Sequence, residues 1–264
     1  MSTQALTLSD LLSKKQRGEK ICMLTAYDTP TATLLDKAGV DVLLVGDSLG
    51  NTVLGFKNTL RVTLEDMIRH SGAVSRGTSH ALVVSDMPFM SYQVSVKKAK
   101  KNAGRLLQEA GVHAVKLEIT HESQIHVIEA FTSIGLSVMA HVGLTPQSIH
   151  QLSGYHLQGK TPESGTQLIK LSHQVAQAGA FSVVLEMISP PIAKQITEQL
   201  TIPTIGIGSG PDCDGQVLVI HDVLGLSERT PKFAKTYANL STIISGAVQA
   251  YCNDVRQSQF PPRL

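Results

Sequence analysis

Short apolar runs recur along the chain, separated by stretches with helical periodicity or by Gly and Pro residues. Most runs are near-continuous in Val, Ile and Leu and do not alternate with polar residues, which indicates strands buried on both faces, as in a parallel sheet covered by helices. The predicted strands are Ile21–Tyr27, Asp41–Asp47, Ala81–Met87, Ala114–Thr120, Ser137–Leu144, Ser182–Ile188, Thr204–Gly210 and Val217–Leu224.

Helices are predicted between these runs and at both ends of the chain. They are Leu6–Lys15, Thr29–Lys37, Thr63–Arg76, Gln93–Ala110, His121–Ile134, Glu163–Ala178, Pro190–Leu200 and Thr236–Arg256. Thr63 is a suitable N-cap, with Asp66 three residues on. Gly39, Gly111 and Gly179 each follow an alanine at a predicted helix end, where a left-handed residue commonly stops a helix.

Eight predicted strands alternating with helices in 264 residues predict an α/β protein, a (β/α)8 TIM-type barrel with an added N-terminal helix and C-terminal helix. A doubly wound open sheet is the alternative, but no GxGxxG motif follows the first strand. The gap between the seventh and eighth strands is too short for a full helix, and the gaps after the second and fifth must hold loops. No linker or repeat interrupts the pattern, so we predict one domain over residues 1–264.

Composition and charge narrow the possible functions. Apolar residues make up 42% and charged residues 17%, as in ordinary globular proteins, and a net charge of +2 favours neither nucleic acid nor an anionic membrane as a partner. Cys22, Cys213 and Cys252 are odd in number and widely spaced, which argues against disulfides and CxxC metal sites. With no evident signal peptide or membrane-length apolar run, we expect a cytoplasmic location.

Polar residues stand at the carboxyl ends of the predicted strands, where barrels of this kind form their active sites. Charged groups inside such apolar sequence are costly to bury unless they are paired or bind a ligand. The candidates at these ends are Tyr27, Asp28, Asp47, Ser48, Asp86, Lys116, Glu118, His141, Glu186, Ser209, His221 and Asp222.

Three of these candidates are carboxylates on consecutive strands: Asp47, Asp86 and Glu118. Neighbouring carboxylates repel one another unless a cation lies among them, and oxygen ligands favour Mg2+ or Mn2+ over zinc. The alternative is that each caps a following helix or pairs with a basic group.

Lys116, His141 and Glu186 are the remaining chemical candidates. Lys116 lies two residues before Glu118, so both side chains share one face of a strand. It is suited to binding a substrate carboxylate, to forming a Schiff base, or simply to pairing with Glu118. His141 is either a core histidine or a hydrogen-bond donor to substrate. Glu186 suits a general base, unless a salt bridge holds it. The glycine run Gly206–Gly210 is a weak phosphate-loop signal, and tight turns explain it better.

Taken together and in order, these stretches resemble the ketopantoate hydroxymethyltransferase family over roughly residues 5 to 256. The matching segments are Thr25–Asp28, Val45–Gly50, Asp86–Met90, Lys116–Glu118, His141–Ser148, Gly154–Tyr155, Gln158–Gly159, Leu185–Glu186, Ile205–Gly210, Asp214–Gln216, His221–Asp222 and Pro231–Lys235. The segments around His141 and Asp47 are the most specific.

The resemblance implies a barrel of the phosphoenolpyruvate mutase and isocitrate lyase group. It implies transfer of a hydroxymethyl group from 5,10-methylenetetrahydrofolate to 3-methyl-2-oxobutanoate through a Mg2+-stabilised enolate, giving 2-dehydropantoate for pantothenate biosynthesis. It implies a homo-oligomer, since members are commonly decamers. The balanced charge separately predicts no nucleic acid or membrane as a partner.

The resemblance also implies roles for individual residues. Asp47 and Asp86 would bind the metal, with Glu118 a further ligand, directly or through water. The substrate-binding residues would be Asp47, Ser48, Asp86, Lys116 and His141, and Glu186 would be the catalytic base.

Three other functions stay open on the sequence. The first is a Schiff-base aldolase using Lys116. The second is a lyase of the same superfamily, which typically carries a cysteine in a Lys-Lys-Cys-Gly-His-type loop, a setting that none of the three cysteines has. The third is a non-catalytic barrel, which would not need so many charged residues at one rim.

Overall fold

The computed structural model describes residues 5–262. Within that range, eight parallel strands close into a barrel in sequence order. The strands are β1 Ile21–Thr25, β2 Val42–Val45, β3 Leu82–Asp86, β4 Ala114–Glu118, β5 Val138–Gly143, β6 Ser182–Glu186, β7 Thr204–Ile207 and β8 Gly215–Leu218. The predicted (β/α)8 fold is confirmed, and the observed strands are shorter than the apolar runs that predicted them.

Helices lie between most strands and at both ends of the chain. They are α1 Leu8–Gln16, α2 Thr29–Lys37, α3 Leu49–Thr52, α4 Leu64–Gly77, α5 Val96–Ala110, α6 Ile125–Thr132, α7 Pro162–Gln177, α8 Pro190–Gln199, α9 Ile220–Leu224 and α10 Leu240–Arg256. Short 3-10 turns span Thr59–Arg61, Glu122–Gln124 and Pro146–Ser148. The Thr63 cap of α4 is confirmed, because Thr63 and Asp66 form a reciprocal capping box. Gly111 ends α5 with a φ of +69°, as predicted.

The eighth predicted strand is partly wrong. β8 ends at Leu218, and Ile220–Leu224 form the short helix α9, so His221 and Asp222 lie on a helix and not on a strand. A short unbroken apolar run fits a buried strand and a buried helical turn equally well, and here the left-handed Gly225 that follows closes a helix. No helix fits between β7 and β8, as expected.

The chain divides into two compact units, Met1–Leu218 and Val219–Leu264. The whole barrel lies in the first unit, and α9 and α10 lie in the second. The assignment of residues 1–264 to one domain stays a prediction.

The interior of the barrel changes character along the strands. At the amino end it is filled by apolar side chains, and Leu11 of α1 packs into this cluster, so the predicted N-terminal helix does close that end. The cluster comprises Leu11, Ile21, Met23, Val42, Leu44, Leu82, Val84, Ala114, Met139, Val184, Ile205 and Val217. Side chains two residues apart on a strand share a face. The inward positions that follow Val84, Ala114, Met139 and Val184 therefore point into the carboxyl end, and they are polar.

Among the helices of residues 5–262, none is both long enough and apolar enough to cross a membrane.

Candidate active site

The polar end of the barrel brings the predicted site residues together. Asp86, Lys116, Glu118, His141 and Glu186 occupy inward positions at the ends of β3, β4, β5 and β6. The parallel register places Asp86 beside Lys116, and Glu118 beside His141. Apart from Glu186, whose side chain is 15% exposed, these residues are almost fully buried.

Lys116 joins two members of this group. Its Nζ lies 2.8 Å from Asp86 Oδ1 and 3.2 Å from His141 Nδ1. Burial alone would lower its pKa, but the charges of Asp86 and Glu118 outweigh that effect and raise the pKa of Lys116 above its ordinary value. Lys116 is therefore a charged donor and not a free amine.

His141 connects Lys116 to Glu186. An ammonium can only donate, so the Nδ1 atom of His141 accepts from Lys116 and the ring proton lies on Nε2. That Nε2 atom lies 3.3 Å from Glu186 Oε2. Burial, and then the charge of Lys116, lower the pKa of His141, which keeps the ring neutral. A fixed row of polar groups thus runs from Asp86 to Glu186.

Asp47 and Ser48 follow β2 at the turn into α3. The Asp47 backbone N–H donates to Asp86 Oδ2 at 2.9 Å, which binds the two strand ends together. Ser48 Oγ lies 2.8 Å from the hydroxyl of Tyr27. Gly46 leaves room for this arrangement, because a Cβ there would lie only 2.8 Å from Ser48 Oγ.

The acidic residues of the site are held in an electrostatically unfavourable setting. Burial and the charge of Asp86 raise the pKa of Asp47 from 3.8 to about 7. Burial, and then the charge of Asp47, raise the pKa of Glu118 well above its usual range. Lys116 alone does not balance the negative charge of Asp47, Asp86 and Glu118.

Two residues without a predicted role also belong to the site. Gln147, in the turn after β5, donates from its backbone to Glu118 Oε2 and from its side chain to Asp47 Oδ2, both at 2.9 Å. The hydroxyl of Tyr92 lies 3.0 Å from the Glu118 carbonyl oxygen and 3.1 Å from Gln147 Oε1. Neither residue follows a periodic pattern, and the sequence signal that could have found them is their position a few residues after predicted strands.

Other candidates from the strand ends have structural roles. Asp28 caps α2 by accepting from the Thr31 N–H. Ser209 Oγ accepts from the Ile188 N–H and donates to the Leu185 carbonyl, which fixes the turn after β6.

Asp47, Asp86 and Glu118 are the residues that could hold a divalent cation. Among residues 5–262, no group of three or more His, Cys, Asp or Glu side chains is arranged to hold a metal ion by itself. Mg2+ is usually bound through one or two carboxylates plus waters or substrate oxygens, and it does not need a full protein cage. Asp47 and Asp86, buried, adjacent and short of positive charge, fit that role. Glu118, one oxygen of which already accepts from Gln147, fits contact through water.

The fold is shared by solved enzymes. A phosphonopyruvate hydrolase solved with oxalate and Mg2+ matches with a TM-score of 0.63 at 12% identity, over 95% of this chain and 87% of the other. A 2,3-dimethylmalate lyase of the PEP mutase/isocitrate lyase superfamily matches with a TM-score of 0.59 at 16% identity, over 97% and 89%. The protein therefore shares the closed (β/α)8 barrel fold of these enzymes.

Sequence comparison narrows this class. Residues 5–263 match the family model of ketopantoate hydroxymethyltransferase. The 3-methyl-2-oxobutanoate hydroxymethyltransferase of Syntrophus aciditrophicus is 53% identical, over 99% of this chain and 97% of the relative. The enzyme of the same name from Saccharolobus solfataricus is 54% identical over 98% and 96%. The chain belongs to the ketopantoate hydroxymethyltransferase family of enzymes, which confirms the resemblance and excludes the non-catalytic alternative.

Proposed function

We propose that the protein transfers a hydroxymethyl group from 5,10-methylenetetrahydrofolate to 3-methyl-2-oxobutanoate, giving 2-dehydropantoate for the route to pantothenate. The observation that carries this proposal is the row of contacts from Asp86 through Lys116 and His141 to Glu186. In this proposal Glu186 is the carboxylate base at one end of the row, and Asp86, with Asp47 and Glu118 nearby, forms the acidic end that suits a cation.

The keto acid binds at the acidic end. Its carboxylate is met by the charged Lys116 Nζ and by Ser48 Oγ, which the Tyr27 hydroxyl holds in place. Asp47 and Asp86 would hold the Mg2+ ion, with Glu118 acting through water. When bound, Mg2+ supplies Lewis-acid polarisation of the keto group, a contribution of several kcal/mol.

Glu186 takes the proton from C3 of the keto acid, which breaks the C–H bond and leaves an enolate. General bases of this kind typically contribute about 10²–10⁴ in rate. The Nε2 atom of the neutral His141 lies 3.3 Å from Glu186 Oε2, so the ring borders the carboxylate without adding a second charge.

Water opens the methylene bridge of the folate, which breaks its two C–N bonds and releases tetrahydrofolate and formaldehyde. The enolate then forms a carbon–carbon bond to the formaldehyde carbon, and the new alkoxide takes up the proton held by Glu186 to give the hydroxymethyl product. In this scheme folate is a co-substrate and not a resident group. We further propose a homo-oligomer, a decamer as is common in the family, acting in the cytoplasm.

A Schiff-base mechanism is disfavoured by the same geometry. A lysine nucleophile must lose its proton, whereas Asp86 keeps Lys116 charged. The cysteine-dependent lyase chemistry also lacks support, because no cysteine of residues 5–262 stands at the carboxyl end of a strand. Cys22 is near the start of β1, Cys213 precedes β8, and Cys252 lies on α10.

Product formation tests the proposal. The purified enzyme is incubated with 3-methyl-2-oxobutanoate, 5,10-methylenetetrahydrofolate and Mg2+, and 2-dehydropantoate is followed by mass spectrometry. The proposal requires product that depends on both substrates. Its absence under these conditions, from folded enzyme, would contradict it.

A further inference from the structure

Gln147 lies where several strand ends meet. It occupies the 3-10 turn Pro146–Ser148 after β5 and is only 5% exposed. Pro146 begins this turn, where its missing N–H costs no hydrogen bond, and the Ser148 N–H closes the turn on the Thr145 carbonyl at 2.8 Å. The loop therefore presents Gln147 to the acidic end of the site in a fixed backbone conformation.

The side chain and backbone of Gln147 bind three neighbouring strand ends. Its Nε2 donates to Asp47 Oδ2 at 2.9 Å and to the Met87 carbonyl at 3.0 Å. Its backbone N–H donates to Glu118 Oε2 at 2.9 Å. One residue from the β5 loop thus contacts the ends of β2, β3 and β4.

The orientation of the Gln147 amide is determined by its neighbours. Both groups facing Nε2 are acceptors, a carboxylate and a carbonyl. Both groups facing Oε1 are donors, the Tyr92 hydroxyl at 3.1 Å and Gln93 Nε2 at 3.3 Å. A flipped amide would set acceptor against acceptor, so only one orientation satisfies the buried groups.

We propose that Gln147 is a positioning residue that orders Asp47 and Glu118 for the divalent cation. It engages one oxygen of each carboxylate and leaves the second oxygen of each to the cation or to its waters. Partners that orient ligands in this way commonly change metal affinity by about 10–100-fold when they are removed. This role rests on the proposed cation site.

A neutral amide is also the side-chain group best suited to orienting Asp47 and Glu118. A lysine at this position would neutralise the carboxylates and compete with a cation, and a carboxylate would repel Asp47. A neutral donor restrains both acids while leaving their charge for the metal.

Manganese binding to the enzyme without keto acid tests the proposal. Free Mn2+ is measured by electron paramagnetic resonance with wild type and with Gln147→Met, which keeps the side-chain length and removes the donors. The Mn2+ dissociation constant should rise about 10–100-fold. Raising Mg2+ should restore much of the lost kcat. In Gln174→Met, a change on α7 that removes a 3.3 Å contact to Glu122, the dissociation constant should stay unchanged.

Urea unfolding of the same proteins separates a positioning role of Gln147 from a purely structural one. If the role were purely structural, Gln147→Met would lower stability without changing Mn2+ affinity. A folded Gln147→Met variant with wild-type Mn2+ affinity overturns the proposal. If that variant fails to fold, Tyr92→Phe decides. It removes the hydroxyl that contacts both Gln147 Oε1 and the Glu118 carbonyl oxygen, and it should weaken Mn2+ binding about two- to tenfold. Unchanged affinity there also overturns the proposal. A wild-type enzyme that binds no Mn2+ overturns the proposed cation site itself.

Discussion

Lys116 Nζ and Asp86 Oδ1 form a buried ion pair at 2.8 Å, with side chains 5% and 4% exposed. The pair lies beside Asp47 and Glu118, so the lysine offsets only part of the negative charge around it. The site therefore approaches electrostatic balance when its acids take up protons or when a cation joins it.

Removing the Lys116 charge should destabilise the metal-free protein. Lys116→Met leaves the Asp86 carboxylate buried without its partner, at a cost of about 3–5 kcal/mol in the free energy of unfolding. Urea unfolding in EDTA measures this cost, and Lys116→Arg, which keeps the charge, should lose less. Equal stability of Lys116→Met and wild type would show that the pair is energetically unimportant.

Borohydride should not label the enzyme in the presence of 3-methyl-2-oxobutanoate. The charged Lys116 cannot attack a carbonyl, so no imine forms for the reagent to reduce. Intact-protein mass spectrometry gives the readout, and a Schiff-base aldolase serves as the positive control. A stoichiometric adduct on Lys116 would restore the aldolase alternative.

Gly143 should resist substitution because it lies against the strand that carries Glu186. Its φ is +100°, and an added Cβ would overlap the Glu186 carbonyl oxygen and lie 2.6 Å from Ile188 Cγ1. Gly143→Ala should therefore slow the reaction and cost about 1–3 kcal/mol beyond backbone strain. Gly18→Ala, at φ +70° with nothing within 4 Å, is the control for strain alone, at about 1–2 kcal/mol. Equal losses of stability and activity in the two variants would show that the contact between residue 143 and the Glu186 strand is unimportant.

Cation affinity should rise with pH toward neutrality. The pKa of Asp47 is raised from 3.8 to about 7, so between these values the folded protein holds a proton that the unfolded chain has released. This contribution to stability is complete below 3.8 and is lost as pH rises through about 7.

A cation must displace that proton, so Mn2+ affinity should increase by up to about tenfold per pH unit between about pH 5.5 and about pH 7. Titration by electron paramagnetic resonance at each pH checks this dependence. Asp47→Asn, which has no proton to displace there, should flatten the profile. A wild-type profile that is already flat would contradict the assignment of Asp47.

Much of the barrel was predictable because buried parallel strands have a local signature. Seven predicted strands each contain an observed strand in full. Runs of Val, Ile and Leu between helices mostly form buried parallel strands. The eighth was not resolved, because the run containing His221 has no alternation to distinguish a strand from a helical turn.

The charged side chains of the site were also predictable, while their connections were not. Asp86, Lys116 and His141 stand out because polar or charged side chains inside apolar strands are costly to bury without a partner or ligand. Gln147 lies in a loop, where an amide is unremarkable, and its contact with Asp47 spans 100 residues. Only the closed barrel brings such positions together.

Deuterium exchange at C3 of 3-methyl-2-oxobutanoate tests the central claim most directly, since it reports enolate formation without folate. In D2O with Mg2+, proton NMR should show the C3 signal disappear with wild-type enzyme. EDTA should abolish this exchange, and Glu186→Gln should slow it by about 10²-fold or more while the keto acid still binds. Exchange by Glu186→Gln at the wild-type rate, or exchange by the wild type without a divalent cation, would contradict the account.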